Sequence, residues 1–443
     1  MKMITNLSQS QLFSEEIHNL IPGGSHTYSK GDDQFPENAP AAISHGKGAR
    51  VWDLDGNEYI DCSMGLTSVS IGHAYEPVVQ AVCEAAARGT NFQRPAVIER
   101  DAARLFLDTV QSGDMVKFAK NGSTVTTAAV KLARAFTGRN RVAVAREHNF
   151  FSYDDWFIST TPCKRGIPEV TLPMTTAFSY NDFASVEALF VDRDHDIACL
   201  IMEPAKFEMP RNGFLQKVAE LCRDRGVLLI LDEMVSGFKW SLRGAQGYFD
   251  VKPDLSTWGK GIANGFSACA LTGRADVMEL GGIRSEGEDK LFLISSTHGA
   301  ETTGLAAMIA TIEAYNRHQM IDSNWARGAI YKQRLEEVVA QHGLASHLQL
   351  TGPACLFGLI CCNAEGVAGD PGFRTLMMQE MIGRGVLFQG LFYTTWSHQQ
   401  PEMNHVVRAF DESCAVYRRA VDSGSVDGLL VGPAVKAVFR KTI

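Results

Sequence analysis

The residue best suited to covalent chemistry in this sequence is Lys260, which lies between two glycines in the segment PDLSTWGKGIANGF. A lysine that forms a Schiff base needs a lowered pKa and freedom from bulky neighbours, so that its nitrogen can reach an aldehyde. A glycine-flanked segment with little charge meets both conditions. The alternative is an ordinary turn lysine whose glycines only shape a loop.

An acid precedes this lysine by 28 residues. Asp232 ends the apolar run VLLILDE, and the carboxyl end of a buried strand is where open α/β sheets bind ligands. A carboxylate at that place can keep a pyridine nitrogen protonated, which maintains the ring as an electron sink. The alternative is an N-cap for the following turn.

Two further segments could hold a phosphorylated, flat ligand. In KNGSTVTTAAVKLAR (120–134), a small polar turn opens a helix, and Gly122 and Ser123 are the candidates for binding a phosphate at the unpaired N–H groups. In HNFFSYDDW (148–156), Phe150 could stack on a flat ring. An ordinary helix start and a core aromatic are the alternatives.

These residues need a scaffold, and the surrounding segments alternate between strand-like and helical patterns. Near-continuous apolar runs predict strands buried on both faces of a largely parallel sheet, at 115–119, 141–145, 197–203 and 227–233. Helical spacing of apolar residues predicts helices at 76–88, 96–111, 126–137 and 213–225. The fold class is therefore predicted to be α/β.

The two ends of the chain do not show the alternation of strands and helices that is predicted for the middle. GARVWDLDGNEYIDC predicts a hairpin near the N-terminus, and a long helical stretch is predicted at 303–341, with further helices at 371–384 and 403–422. We expect an N-terminal segment at 1–75, a large domain at 76–325 and a smaller α+β domain at 326–443. The pattern does not indicate which domain the hairpin joins.

The composition of the chain limits the classes of function and the location that are expected. The net charge of −8 argues against a general nucleic-acid surface. The ten cysteines are scattered without a CxxC pair, which favours free thiols and a cytoplasmic location. No run is long enough for a signal peptide or a membrane span, and no metal site is expected.

Taken in order, these segments resemble the class III aminotransferase family of fold-type I pyridoxal-phosphate (PLP) enzymes, and most of all its glutamate-1-semialdehyde 2,1-aminomutase-like branch. The resemblance runs from IPGG at 21 through VFRK at 440. Its most specific block is LDEMVSGFKWSLRGAQGYFDVKPDLSTWGKGIANGF, which is similar to the family pattern DE(V)xxGFR…GA…PD…GK. The resemblance implies a large domain with a mostly parallel central sheet, a smaller α+β domain, and PLP as cofactor.

The resemblance also implies residue roles. Lys260 would form the Schiff base with PLP and carry a proton between the substrate carbon and the cofactor, and Asp232 would contact the pyridine nitrogen. The remaining cofactor residues implied are Met234 under the ring, Gly122 and Ser123 at the phosphate, Phe150 stacked on the ring, Glu203 near the active site, and Thr297. Because Thr297 matches a threonine that reaches the phosphate of the neighbouring subunit, a homodimer is expected.

Several motifs depart from the aminomutase pattern. The phosphate turn reads NGSTV instead of SGTEA, FFSY replaces a YHGH-like stretch, and THGAETTG replaces the short T-x-(G/S)-G-N-P motif. Lys30 stands where an aminomutase arginine would meet a substrate carboxylate, and a lysine lacks the bidentate fork. His26 and Tyr28 share that loop and are substrate candidates, with solvated loop residues as the alternative.

These departures favour an intermolecular aminotransferase. We expect an amino donor such as glutamate and an aldehyde or ketone acceptor, used in a ping-pong cycle, with no membrane or nucleic-acid partner. The alternatives are glutamate-1-semialdehyde 2,1-aminomutase, an isomerase that needs no separate donor, and a non-catalytic binding protein of the same fold. A nicotinamide dehydrogenase would need a glycine fingerprint that is absent. Tyr393, Trp396 and His398 are further candidates to face the substrate, with an aromatic core or surface cluster as the alternative.

Overall fold

The computed structural model describes residues 1, 3–148, 150–191, 196–284 and 289–441. The chain divides into two compact units. The first comprises Met1–Thr67, Ile71–Tyr75 and Asp322–Arg440, and the second comprises Ser68–Ser70 and Glu76–Ile321 together with the extreme C-terminus. The first unit therefore combines the N-terminal segment with most of the C-terminal part of the chain.

The strands of the described chain are β1 (Ile43–Lys47), β2 (Arg50–Asp53), β3 (Glu58–Asp61), β4 (Met115–Ala119), β5 (Arg141–Ala145), β6 (Thr175–Phe178), β7 (Ile197–Met202), β8 (Leu228–Asp232), β9 (Leu255–Trp258), β10 (Cys269–Gly273), β11 (Leu348–Thr351), β12 (Leu356–Cys361), β13 (Val386–Leu387) and β14 (Leu391–Tyr393).

The helices are α1 (Ser8–Leu20), α2 (Met64–Thr67), α3 (Glu76–Arg88), α4 (Val97–Val110), α5 (Gly122–Thr137), α6 (Asp155–Ile158), α7 (Phe183–Glu187), α8 (Phe214–Asp224), α9 (Gly244–Tyr248), α10 (Ala275–Met278), α11 (Thr302–His318), α12 (Met320–Gln341), α13 (Pro371–Gly383) and α14 (Gln400–Ser423). Short 3₁₀ turns fill parts of the loops, including Tyr28–Lys30 and Lys260–Ala263.

The second unit is built on a sheet in the order β4-β10-β9-β8-β7-β5-β6. Neighbours from β9 to β6 pair in parallel, whereas β10 is antiparallel to both β9 and β4. Strand β4 thus runs in the same direction as the parallel strands. This mostly parallel sheet confirms the predicted α/β fold class.

The central strands are buried along their whole length, as their apolar composition predicts. All residues of β7 and β8 are buried, because helices cover both faces of a parallel sheet. Helix α8 connects these two strands and buries Phe214, Leu215 and Val218. The strand–helix–strand unit predicted there is confirmed.

The first unit contains two smaller sheets. Strands β11, β12 and β14 form an antiparallel sheet, while β1, β2, β3 and β13 form another. In the second sheet, β2 and β3 are the predicted hairpin, and β13 pairs in parallel with β3 through Val386 and Ile60. The hairpin therefore joins the C-terminal part of the chain, which the sequence pattern had left open.

The structure differs from the sequence-based prediction at two helices. The stretch predicted as one helix at 303–341 is two helices, because Gln319 adopts a left-handed backbone conformation with φ of 47° and ends α11. Helix α5 begins at Gly122, four residues before the predicted start at 126. Its first turn is polar, so apolar spacing alone could not place it.

A left-handed turn in the first unit had no counterpart in the sequence patterns. Met64, Leu66 and Thr67 all have positive φ within α2, a conformation that costs about 1–2 kcal/mol per non-glycine residue. Asp61 Oδ1 accepts hydrogen bonds from the N–H groups of Ser63 (2.9 Å) and Met64 (2.7 Å). This carboxylate helps to hold the strained segment in place.

Candidate active site

The candidate active site lies in the second unit, at one edge of its sheet. The carboxyl ends of β4, β5, β7, β8 and β9 meet there because these strands run in one direction. The residues that follow or end them are the phosphate-turn candidates after β4, Phe150 after β5, Glu203 after β7, Asp232 at the end of β8 and Lys260 after β9. The fold thus brings residues spread over 139 positions of the sequence, from Gly122 to Lys260, to one edge of the sheet.

Lys260 begins the 3₁₀ turn that follows β9 and has a positive φ of 48°. A long side chain rarely adopts this conformation, and such strain is concentrated at functional sites. The preceding Gly259 gives the turn room, since a Cβ there would lie 2.6 Å from both Cys269 Sγ and Met234 Sδ. Glycine at 259 is therefore required by close packing.

The electrostatic surroundings of Lys260 suit a nucleophilic amine. Loss of water around the ammonium group lowers its pKa, and the nearby charge of Lys206 lowers it further. The carboxylates of Glu203 and Asp232 act in the opposite direction without cancelling these effects. A lowered pKa raises the fraction of neutral amine, which is the form that attacks a carbonyl carbon.

Asp232 is buried, and burial raises the pKa of its carboxyl to about 7, with the charge of Glu203 adding to the rise. Its Oδ1 accepts hydrogen bonds from the Met234 N–H (2.9 Å) and the Thr257 hydroxyl (3.1 Å). Within the described chain, both of these hydrogen bonds end on Oδ1, so Oδ2 is the oxygen left to meet a ligand. A cationic ring nitrogen at Oδ2 would favour the ionised carboxylate.

Glu203 directly follows β7 beside Asp232, since Met202 pairs with Leu231. Burial raises its pKa, but the charges of Lys206 and Lys260 and the hydrogen bond from Lys206 outweigh burial and lower the pKa overall. Lys206 Nζ lies 3.3 Å from Glu203 Oε1. The buried carboxylate is therefore ionised and adds negative charge to this edge of the sheet.

His148 forms a hydrogen bond with the backbone of Glu203. Its Nδ1 accepts a hydrogen bond of 3.0 Å from the Glu203 N–H, which places the ring proton on Nε2. Burial lowers the pKa of the imidazole, so the ring is neutral near pH 7. Neither His148 nor Lys206 was among the sequence-predicted site residues, although both follow strands that lead to the site.

The turn after β4 has the geometry of an anion-binding helix start. Asn121 caps α5 by accepting a hydrogen bond of 2.9 Å from the Thr124 N–H, which leaves the N–H groups of Gly122 and Ser123 outside this cap. The Ser123 Oγ accepts a hydrogen bond from the Tyr153 N–H (3.1 Å). The hydroxyl proton of Ser123 is therefore available to donate to a second acceptor. These groups can donate together to phosphate oxygens.

Two further predicted residues border these turns. The sulfur of Met234 lies 3.3 Å from the Cβ position of Gly122 and 2.6 Å from that of Gly259, so Met234 packs between the turn after β4 and the turn of Lys260. Phe150 is about half exposed, and its ring packs edge-on against Phe157 with a centroid distance of 5.8 Å. This contact fixes one edge of the ring and keeps a face accessible.

Thr297 is exposed and lies in the turn before α11. Its carbonyl oxygen accepts a hydrogen bond of 3.1 Å from Asn91 Nδ2. An exposed threonine on a tethered turn is compatible with a contact to another subunit.

The structure places the predicted substrate residues in the first unit. His26, Tyr28 and Lys30 are exposed there, and Lys30 lines a cavity of about 790 Å³ that is bordered by α1, the loop of Lys30 and residues 387–389.

Of the later candidates, Tyr393 and His398 are buried, as in the alternative of an aromatic core. Burial lowers the pKa of His398 to about 4, and the Trp396 ring stacks on Arg327 at 5.3 Å.

Among the described residues, no group of three or more potential ligands is placed to hold a metal ion. In the same part of the chain, every helix is too short or too polar to span a bilayer. The ten cysteines are free thiols, and all but Cys83 and Cys163 are buried.

The chain belongs to the class-III aminotransferase family, whose model matches residues 32–387. Members of this family use pyridoxal phosphate, so the protein is a PLP-dependent enzyme that transfers amino groups. This membership confirms the family, the cofactor and the class of reaction that the sequence motifs predicted.

Individual relatives agree with this assignment. The chain is 31% identical over 422 residues to the 3-aminobutyryl-CoA aminotransferase of Cloacimonas acidaminovorans, covering 93% of this chain and 98% of that one. It is also 31% identical over 419 residues to the glutamate-1-semialdehyde 2,1-aminomutase of Syntrophomonas wolfei, covering 89% and 94%. An omega-transaminase structure from Sphaerobacter thermophilus has the same fold, with 24% identity, a TM-score of 0.83, and coverage of 92% and 98%.

The residues present fit the cofactor. A buried carboxylate with Oδ2 available, a helix start with two N–H groups and a hydroxyl, an accessible aromatic face and a lysine of lowered pKa occur at one edge of one sheet. Each matches a different chemical group of PLP: the ring nitrogen, the phosphate, the ring face and the aldehyde.

Proposed function

We propose that this protein is an aminotransferase that binds PLP covalently through Lys260 and moves an amino group from a donor such as glutamate to an aldehyde or ketone, in a ping-pong cycle. The observation that carries the proposal is the convergence of Lys260, Asp232 and the Gly122–Ser123 turn at the carboxyl edge of the sheet. PLP supplies an electron sink that stabilises negative charge on the substrate carbon.

Each residue then has a defined task. Lys260 Nζ would accept the proton from the substrate carbon and donate it to the bound cofactor, because its lowered pKa favours the neutral amine. Asp232 Oδ2 would accept a hydrogen bond from the protonated pyridine nitrogen, while Gly122 and Ser123 would bind the phosphate. Phe150 would stack on the ring, and Met234 would pack beneath it.

Glu203 and Thr297 complete the proposed cofactor site. Glu203 supplies a fixed negative charge beside Asp232. We assign Thr297 to the phosphate of the neighbouring subunit in a homodimer, and its exposure on the single chain supports this assignment. Lys30, with His26 and Tyr28, is proposed to meet the substrate carboxylate. The free thiols support a cytoplasmic location.

The decisive experiment tests the covalent link. The protein is incubated with PLP alone, without an amino donor, reduced with borohydride and digested, and the labelled peptide is identified by mass spectrometry. We expect the label on Lys260, with at least a thousandfold loss of turnover in Lys260→Ala, a magnitude typical of removing a covalent catalyst. Lys252→Ala is the matched control, since Lys252 is an exposed lysine of the same unit. A label on another lysine, or normal turnover by Lys260→Ala, would refute the assignment.

A glutamate-1-semialdehyde 2,1-aminomutase is the second candidate, favoured by the 31% identity to such an enzyme over most of the chain. The two functions differ in whether the product leaves between the half-reactions. The PLP-loaded enzyme is incubated with glutamate-1-semialdehyde alone. Formation of 5-aminolevulinate with many turnovers establishes the aminomutase. If glutamate alone instead reacts with the PLP-loaded enzyme only once per active site, and further turnover requires a carbonyl acceptor, the protein is an aminotransferase.

A further inference from the structure

An ion pair between Lys120 and Glu301 joins two helix starts at the edge of the candidate site. Lys120 directly precedes Asn121, the cap of α5, and its Nζ donates to Glu301 Oε1. Glu301 is itself the cap of α11, because its oxygens accept the N–H groups of Thr303 (2.9 Å) and Gly304 (3.0 Å). One carboxylate therefore fixes the starts of both helices.

The surrounding chain makes room for this pair. A Cβ at Gly304 would lie 2.9 Å from Lys120 Nζ and 2.7 Å from the carbonyl oxygen of Ser267. The Ser267 hydroxyl in turn donates to the carbonyl oxygen of Lys120. The lysine is thus held at its backbone and at its amino group, and the helix surface beneath the amino group is left bare.

The Glu301 carboxylate is ionised throughout the physiological pH range. Burial of Glu301 opposes ionisation, but hydrogen bonds from Lys120 and from the start of α11 lower its pKa to about 2. The side chains of Lys120 and Glu301 are 27% and 14% exposed, so solvent screens them less than a surface pair.

The position of the pair suggests more than stability. Lys120 lies two residues before Gly122 of the proposed phosphate turn, and Glu301 lies four residues after Thr297. The ion pair therefore ties the turn that would bind one cofactor phosphate to the segment that would reach the other subunit's phosphate.

We propose that Lys120 and Glu301 are positioning residues for the cofactor phosphate, and that their ion pair holds the Gly122–Ser123 turn in the orientation that binds it. This inference rests on the proposed function. Without the pair, the turn keeps its backbone pairing, the Asn121 cap and its hydrogen bonds to Ser267 and Tyr153, but it loses its side-chain link to α11. Affinity for the phosphate therefore falls while contacts to the ring are unchanged.

The test compares two ligands that differ only in the phosphate. Equilibrium dissociation constants for PLP and for pyridoxal are measured on cofactor-free protein. In Lys120→Met and Glu301→Gln we expect the preference for PLP over pyridoxal to fall on the order of tenfold, the effect of weakening one hydrogen bond to a charged group. The double variant should lose no more than either single variant, because both remove one interaction.

Controls separate this role from a structural one. Lys131→Met removes an exposed lysine in the middle of α5 and should leave the preference unchanged. Lys120→Gln keeps a hydrogen-bond donor and serves if Lys120→Met does not fold. Equal losses of PLP and pyridoxal affinity, or no loss, would overturn the proposal. Failure of the unmodified protein to bind PLP at Lys260 would instead refute the proposed function.

Discussion

At the residue scale, the chemistry of the candidate site depends on how burial shifts the pKa values of its side chains. Asp232 and Glu233 are adjacent and both buried, and burial raises the pKa of each to about 7. Their partners differ: Asp232 accepts from Thr257 and Met234 at the candidate site, whereas Glu233 accepts from the N–H groups of Ala245 and Gln246. The two adjacent acids thus have different surroundings: Asp232 lies at the candidate site, and Glu233 anchors the start of α9.

These raised pKa values predict a pH dependence of the cofactor-free protein. A carboxyl whose pKa is about 7 in the folded state and 3.8 or 4.5 otherwise binds its proton more tightly when folded. The free energy of unfolding should therefore fall as the pH rises from about 4 to 7. Asp232→Asn should reduce this slope, measured by urea denaturation at pH 5, 6 and 7.

Glu233→Gln is the matched variant for that experiment. This substitution should reduce the same slope, because the pKa of the Glu233 carboxyl is also raised. It should leave the affinity for PLP close to that of the unmodified protein. Asp232→Asn should weaken PLP binding by about a hundredfold, as loss of a buried charged hydrogen bond does. An unchanged slope in both variants would contradict the raised pKa values.

At the element scale, the site depends on how closely β9, its following turn and β10 approach. Gly259 has an extended φ that any residue could adopt, so the requirement for glycine is one of space rather than of backbone conformation. Cys269 of β10 and Met234 after β8 fill that space from two sides. The position of Lys260 therefore depends on three elements that are far apart in sequence.

Gly259→Ala should displace the turn of Lys260, because its Cβ would lie 2.6 Å from two sulfur atoms. We expect a loss of about 1–3 kcal/mol of stability from overpacking, and a marked decrease in borohydride-trapped PLP measured by mass spectrometry. Gly138→Ala is the control: its Cβ meets open space, but its φ of 67° is left-handed. That variant should lose stability and keep full labelling, whereas full labelling of Gly259→Ala would contradict the packing argument.

At the scale of the whole molecule, distant parts of the chain share one core. Ile60 and Cys62 of the N-terminal segment pack in the same apolar cluster as Met381, Phe388 and Tyr417. The parallel pairing of β3 with β13 brings these segments together. The N-terminal segment is thus an integral part of the first unit.

Ile60→Ala should therefore destabilise the C-terminal segments as well as the hairpin. Ile60 is 1% exposed, and truncating a buried isoleucine to alanine costs about 2–5 kcal/mol. Ile43→Ala, at an exposed position of the same sheet, should change stability by less than about 0.5 kcal/mol. Hydrogen exchange of α13 and α14 in the two variants measures the difference, and equal protection would contradict a shared core.

The sequence by itself determined the chemistry and the local elements. Apolar runs ending in acids predicted β7 and β8 within one residue of their bounds, and residue types marked Lys260, Asp232 and the turn at Gly122, because strand formation, helix capping and reactivity depend on nearby side chains. The domain boundaries at 75 and 325 and the individual site roles stay predictions.

Only the tertiary structure decided the rest. It joined the hairpin to β13, placed Lys206 within electrostatic reach of Lys260, and paired Lys120 with Glu301 across 181 positions. The structure also divides the stretch predicted as one helix at 303–341 into two helices at Gln319. These features depend on which distant segments come into contact and on how much water they exclude, and no local pattern of residues encodes either quantity.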